Sequence, residues 1–314
     1  MEKSIVLIVP YIGKWPIWFD AHLVSIAANT TVNWLFITDC KIPENYPANV
    51  RFVPTTLDAL NKKINDVLAV TVPLTPRKLC DIRPAYGKIF KDYIADFDFW
   101  GFCDLDIIWG DIRKFVTNDL LEKHDILSSR KNTISGHFTI LKNEERINTL
   151  YKQIPLYSKL LSEKKLMRVD EEAFTVCLAD IERDKNTTLN IYWKEYLMNH
   201  VDGKAHQEYY LDKWLWKDKK MLELKDGVSI KEVMYLHFIN WKQFIKYCEV
   251  SYTCNPKEFY ISFNGIHFKE HSKLIKKLNA LKNVFNGYVV REKRRLRKNR
   301  LQSLLKRVKR KLKL

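Results

Sequence analysis

The sequence predicts an α/β layer protein built on a mostly parallel sheet. Short β-branched apolar runs alternate with segments of helical periodicity, the first runs are apolar on both alternating faces, and turn residues separate them, as in sheets covered by helices on both sides. Ile5–Val9 ends at Pro10 and reads as a buried strand. Residues 15–29 carry apolar positions at helical spacing. Val32–Thr38 is a second strand ending at Asp39, and Val50–Val53 a short third. In residues 56–68, Leu57, Leu60, Ile64 and Leu68 form a stripe behind Thr56, a good N-cap. Residues 83–93 read as a helix with Pro84 near its start. The apolar run from Phe97 to Cys103 is the next strand and leads straight into Asp104-Leu105-Asp106. Residues 126–129 and 137–141 are further strands, and 156–166 and 171–178 helices. After about residue 180 the pattern becomes irregular, with short Trp- and Tyr-rich segments. We expect a small irregular lobe there.

The 314 residues are 46% hydrophobic and 29% charged, enough for a packed core and against global disorder. The formal charge is +17, but it is unevenly spread. Residues 291–314 hold 13 Lys or Arg against the single acid Glu292, a net +12 that leaves +5 for the rest. Within that tail Leu301, Leu304, Leu305, Val308 and Leu312 recur at helical spacing, which predicts a basic amphipathic C-terminal helix. Such a helix suits an anionic membrane surface. Nucleic acid is the weaker partner, because no aromatic follows Tyr288 to stack on bases. The expected organisation is residues 1–245 as the main domain, 246–290 as an extension packed on it, and 291–314 as the tail.

Six cysteines without a CxxC pair argue against a zinc site and for a reducing compartment. The apolar run Ile5–Val9 is too short for a signal-peptide core or a membrane span, so the expected location is the cytoplasm, peripheral on the inner face of the membrane. The first strand is not followed by G-x-G-x-x-G, and neither G-x-x-x-x-G-K-[ST] nor G-x-S-x-G occurs. The dinucleotide fingerprint, the P-loop and the hydrolase elbow are all missing.

The strongest chemical signal is Asp104-Leu105-Asp106. Carboxylates at i and i+2 on extended backbone project to one side, and the C-terminal edge of a parallel sheet is where ligands bind. Two hard oxygen donors there suit Mg²⁺ or Mn²⁺ together with phosphate oxygens. The plain alternative is a polar turn after a strand. Other positions also carry two readings. Asp170 could be a helix N-cap with Glu171 in the first turn. Asp81 and Tyr86 could face a nucleotide or organise a helix start. Asp39 could bond a base or ribose. Asp111 reads as a turn or cap.

These segments resemble the GT-A fold glycosyltransferases, whose D-x-D holds the metal of a nucleotide-sugar diphosphate. Ser135-Gly136-His137-Phe138 is similar to the N-[SA]-G-V strand start of the retaining bacterial galactosyltransferase and glycogenin branch, which contacts the donor sugar. Val169-Asp170-Glu171-Glu172 is similar to its D-Q-D segment beside the anomeric carbon. Leu236-His237-Phe238-Ile239-Asn240-Trp241-Lys242 is similar to its H-F-x-G-x-x-K segment, whose His completes the metal shell and whose Lys meets the phosphates. The chain also resembles uncharacterised bacterial proteins of capsule and lipopolysaccharide gene clusters that share K-x-C-D-x-x-P-A-Y-G and C-D-x-D segments. Glu171 departs from the branch's Gln, and the glycine after His237-Phe238 is absent.

The resemblance implies Asp104, Asp106 and His237 as ligands of Mn²⁺ or Mg²⁺, and Asp170 and Glu171 as the carboxylates at the reacting sugar. It further implies a UDP-sugar donor bordered by Pro10, Tyr11, Asp39, Lys78, Asp81, Tyr86, Asp104, Ser135, Gly136, His137 and Lys242. The implied reaction is hexose transfer, galactose or glucose, to a lipid-linked oligosaccharide or polysaccharide of capsule, O-antigen or lipooligosaccharide, with retention favoured over inversion. One rival is a sugar-nucleotide nucleotidyltransferase, which would carry a Gly-rich loop where this chain has Pro10-Tyr11-Ile12-Gly13-Lys14-Trp15-Pro16. The other is a non-enzymatic, basic-tailed membrane or nucleic-acid binder.

Overall fold

The computed structural model describes residues 2–184, 187–194, 214–225, 228–239 and 241–285, and single residues 293, 296, 297, 300, 301 and 304 beyond them. Most of the basic tail, and Asn240 of the His237–Lys242 segment, lie outside the described residues.

Among the described residues, eight strands come from the first two thirds of the chain: β1 (Ile5–Tyr11), β2 (Val32–Thr38), β3 (Val50–Pro54), β4 (Phe99–Cys103), β5 (Ile107–Trp109), β6 (Ile126–Ser128), β7 (Phe138–Lys142) and β8 (Ile191–Tyr192). Seven of them form one sheet in the order β3-β2-β1-β4-β7-β6-β8. The pairs β3-β2, β2-β1, β1-β4 and β6-β8 are parallel, while β7 runs antiparallel to both its neighbours. The expected α/β class with a mostly parallel sheet is what the structure has.

Both faces of this sheet are buried, for the reason the continuous apolar runs anticipate. Val6, Ile8, Leu35, Ile37, Trp100 and Phe102 point to one core, and Ile5, Leu7, Val9, Trp34, Phe36 and Phe99 to the other. Helix α1 (Phe19–Ala27) covers the second face. Helix α2 (Leu57–Leu68) covers the first, and Thr56 caps it by accepting from the Ala59 N–H at 3.1 Å. The helix expected over 83–93 is instead a chain of short turns, Leu79–Ile82, Arg83–Ala85, Tyr86–Ile89 and Lys91–Ile94. Ala85 (φ −102°, ψ 2°) and Phe90 (φ −107°, ψ 19°) both leave helical geometry, which interrupts the run at those two points.

The lobe after residue 180 differs from its expected irregularity. Strands β9 (Trp214–Lys217), β10 (Lys220–Lys225), β11 (Val228–Val233), β13 (Tyr247–Cys248), β14 (Glu258–Ile261) and β15 (Gly265–His267) form a second sheet in the order β11-β10-β9-β14-β15-β13. Trp214, Trp216, Phe259 and Ile261 pack from it against Ala21 and Val24 of α1. The central pair β9-β14 joins segments distant in sequence, which local patterning does not reveal. Strand β12 (Tyr235–His237) leaves this lobe to pair antiparallel with β5. A further helix spans Lys273–Phe285, and no described helix is long and apolar enough to cross a membrane.

Candidate active site

Strand β4 ends at Cys103, and the chain turns through Asp104-Leu105-Asp106 into β5. The β5-β12 register sets Tyr235 opposite Trp109 and His237 opposite Ile107, which brings the imidazole beside both aspartates. The Phe238 N–H closes the end of the pair by donating to the Asp106 carbonyl at 3.0 Å. His237 Nε2 stands 3.3 Å from Asp106 Oδ1 and 3.6 Å from Asp104 Oδ2. One donor atom from each of Asp104, Asp106 and His237 lies within 4.8 Å of the others. Lys242 Nζ donates to the other Asp106 oxygen at 2.8 Å.

The charges interlock. Burial opposes ionisation of Asp106, but His237 and Lys242 outweigh it and hold the carboxyl below the usual range. For Asp104, burial is outweighed by the Arg83 guanidinium and His237. Burial would lower His237, yet the two carboxylates win and push it up to about 9. Two carboxylates and an imidazole at this spacing are a donor set for Mn²⁺ or Mg²⁺, the oxygens suiting either and the imidazole favouring Mn²⁺. Without an ion, Arg83, Lys242 and protonated His237 balance the acids.

Behind this cluster Arg83 bridges two carboxylates, donating to Asp104 and, at 2.9 Å, to Asp170. Burial pushes Asp170 up to about 6, against the pull of Arg83. Asp170 and Glu171 sit in a π-helical turn, Val169–Ala173, entered through Arg168 in the left-handed region at φ 55°. Glu171 pairs with Arg168 and, at 3.3 Å, with Arg130, and accepts from the Gly136 N–H at 3.3 Å. Gly136 lies so close that a Cβ there would meet Arg83 Nη1 and Asp170 Oδ2 at 3.0 Å and Glu171 Oε1 at 3.1 Å. Ser135, Gly136, Asp170 and Glu171 are thus drawn next to the D-x-D through Arg83.

His137 is buried, with Nε2 2.7 Å from the Tyr235 hydroxyl and Nδ1 2.9 Å from Ser135 Oγ, and its ring stacks on His237. Tyr11 borders the same cluster at the end of β1, near Lys242 and Asp106, and its hydroxyl donates to the Lys14 carbonyl at 3.0 Å. Pro10 precedes it in the same strand. Asp39 is exposed and accepts from the Gly13 N–H at 2.7 Å, joining the loops after β1 and β2. Asp111 accepts from the Lys114 N–H, the turn role its position predicts.

Three nominees take positions inside the fold. Lys78 and Asp81 are 1% and 0% exposed and pair at 3.0 Å. Asp81 also accepts from the Met167 and Val169 N–H groups, and Lys78 reaches the Lys165 carbonyl, so the pair braces the loop that leads to Asp170. Tyr86 is buried, and its hydroxyl donates to the Leu79 carbonyl. The lysine ammonium and the phenol both make their contacts within the fold. Sequence reasoning missed Arg83, Arg130 and Tyr235. Arg83 carries one signal, a cation directly before Pro84 with Ile82, Ala85 and Tyr86 beside it.

A family model matches residues 7–270, and its description is a family of unknown function, DUF6625. The chain belongs to DUF6625. Among solved structures this DUF6625 chain is similar to the galactosyltransferase LgtC in complex with donor and acceptor sugar analogues, at 9% identity and TM-score 0.33, over 54% of this chain and 69% of that one. It is similar to mouse xyloside xylosyltransferase 1 at 9% identity and TM-score 0.32, over 60% and 85%. It is similar to the glycosyltransferase GlyE of Streptococcus pneumoniae TIGR4 at 11% identity and TM-score 0.33, over 61% and 45%. A search of the curated proteins returns no match to the sequence.

Proposed function

We propose that this DUF6625 chain is a metal-dependent glycosyltransferase that moves a hexose, galactose or glucose, from a UDP-sugar to a surface-glycan acceptor. The observation that carries this reading is the convergence of Asp104, Asp106, His237 and Lys242 at the C-terminal end of β4. Asp104, Asp106 and His237 would hold Mn²⁺ or Mg²⁺, which when bound supplies positive charge against the diphosphate leaving group. The cation Lys242 adds a second positive charge at the same point, where charge develops as the sugar–phosphate bond breaks. Asp170 and Glu171 would flank the oxocarbenium-like sugar, with Ser135 and Gly136 at the donor hexose. Retention is the preferred stereochemical reading.

Residues 1–245 form the proposed catalytic unit and 246–290 its extension. The proposed acceptor is a lipid-linked glycan of capsule or lipopolysaccharide type. Residues 291–314, with net +12, would hold the enzyme at the inner, cytoplasmic face of the membrane.

A panel of UDP-sugars with and without Mn²⁺ tests this by thermal shift, since a ligand that binds only the folded state raises the unfolding temperature. The expected result is a Mn²⁺-dependent shift with one donor and Mn²⁺-dependent UDP release, abolished by Asp104→Ala or Asp106→Ala with the circular dichroism unchanged. Full UDP release by either variant would overturn the reading.

A further inference from the structure

We propose that Trp18 and His22 are positioning residues of the metal site, which hold the Asp104-Leu105-Asp106 turn through the backbone carbonyls on either side of Asp106. The inference rests on the metal reading of Asp104, Asp106 and His237, and adds to it two residues that act only through that backbone. Strand β5 pairs with β12 on one edge of a two-stranded sheet. In an antiparallel pair alternate carbonyls face the partner and the others face away. The Asp106 carbonyl faces β12 and accepts from the Phe238 N–H at 3.0 Å. The carbonyls of Leu105, Ile107 and Trp109 face the opposite edge, and each accepts there from a ring N–H. Trp18 Nε1 donates to Leu105 at 2.9 Å, His22 Nδ1 to Ile107 at 2.7 Å and Trp216 Nε1 to Trp109 at 2.8 Å. Side chains thus stand where a further strand would otherwise pair. The Asp104 N–H is tied as well, to the His137 carbonyl at 3.2 Å.

The two spacings match. Trp18 precedes α1 and His22 lies one turn on, its N–H donating to the Trp18 carbonyl at 3.0 Å. Four helical residues advance about 6 Å and two strand residues about 6.6 Å, so successive turns of one helix face meet alternate carbonyls of the strand. Trp18 also sets its ring edge-on to Phe238, with centroids 5.2 Å apart. One indole therefore touches the backbone between the two aspartates and the residue next to His237. His22 carries a penalty that this role explains. It is fully buried beside Phe19 and Phe36, and burial pulls its pKa down to about 4, so the ring is neutral with a single N–H. A carbonyl only accepts, which places that N–H on Nδ1. The buried Nε2 then has no hydrogen-bond partner among the described residues. An apolar side chain would avoid this orphan acceptor, but would leave the Ile107 carbonyl unpaired beside Asp106.

The test titrates the full chain with Mn²⁺ in the presence of UDP and reads bound and free metal by electron paramagnetic resonance, with thermal unfolding measured alongside. Trp18→Phe removes the indole N–H and keeps an aromatic ring against Phe238. His22→Leu removes the imidazole N–H. Each should weaken Mn²⁺ binding by about tenfold or more, the range for outer groups that orient ligands, and should alter the spectrum of the bound ion. His22→Asn keeps an N–H donor at the Nδ1 position. It should lose stability as His22→Leu does, yet hold Mn²⁺ close to wild-type affinity. Ile64→Ala, in the core under α2, supplies the control for stability alone and should leave affinity unchanged. Wild-type affinity in Trp18→Phe or in His22→Leu would overturn the proposal for that residue. Affinity that tracks unfolding temperature through all four variants, Ile64→Ala included, would overturn it for both. If the intact chain takes up no Mn²⁺, or Asp106→Asn takes it up as wild type does, the metal reading itself falls and this proposal falls with it.

Discussion

The imidazole of His137 lies flat against that of His237, with ring centroids 4.4 Å apart and 17° between their planes. His137 is in turn held by the Tyr235 hydroxyl at 2.7 Å and by Ser135. Tyr235 and His237 are alternate residues of β12, so one strand supplies both the proposed ligand and the group that fixes its stacking partner. Tyr235→Phe removes the hydroxyl and keeps the ring contacts with Trp109 and Phe138. Outer groups that orient a ligand typically carry about 10–100-fold in metal affinity. Calorimetric titration with Mn²⁺ should show a loss in that range with thermal unfolding little changed. Wild-type affinity would mean that the β5-β12 register alone orients His237.

Metal binding should release a proton. The two aspartates push His237 up to about 9, and a metal ion requires the neutral imidazole. Apparent Mn²⁺ affinity should therefore rise with pH up to about 9, with proton release visible as a buffer-dependent heat. The sign for stability follows from the same shift. The raised His237 contributes stability that is fully present below about 6.5 and lost as pH rises through about 9. The unfolding temperature of the metal-free protein should fall across that window, and saturating Mn²⁺ should offset the fall.

Asp170 should set an acid limb in the rate. Burial raises its carboxyl to about 6, and Arg83 pulls the other way. If the carboxylate is the working form, UDP release should drop about tenfold per pH unit below that value. Arg83→Gln removes the cation, so the limb should move to higher pH. An unmoved limb in Arg83→Gln would assign it to another group.

Lys78 should matter for folding rather than for donor binding. Its ammonium and Asp81 are both buried and paired. Lys78→Met leaves the Asp81 charge without its cation, which should cost about 3–5 kcal/mol in urea unfolding. Donor affinity of the fraction that remains folded should be close to wild type. A selective loss of affinity with stability intact would return Lys78 to the phosphates.

The candidate site was unevenly legible. The D-x-D stood out because everything that makes it visible is local, an apolar strand running into two acids at i and i+2. Arg83 did not, because its importance lies in bridging Asp104 and Asp170, and the latter is 87 residues away. Lys78 is the opposite case. A lysine near a proposed phosphate site looks free in sequence, and only packing shows that Asp81 and the Lys165 carbonyl already claim it. The second sheet was hidden because its central strands β9 and β14 find each other across intervening chain.

By itself the sequence determined the strand–helix alternation, the α/β class, the cap at Thr56, the acidic pair after β4 and the concentration of charge in the tail. Each is a property of neighbouring residues, governed by side-chain period, turn chemistry and burial on a single element. Tertiary structure alone decided that Lys242 meets Asp106 across 136 residues and that His237 stands opposite Ile107. Those relations depend on strand register, which is fixed by packing against distant partners whose identity no local pattern encodes.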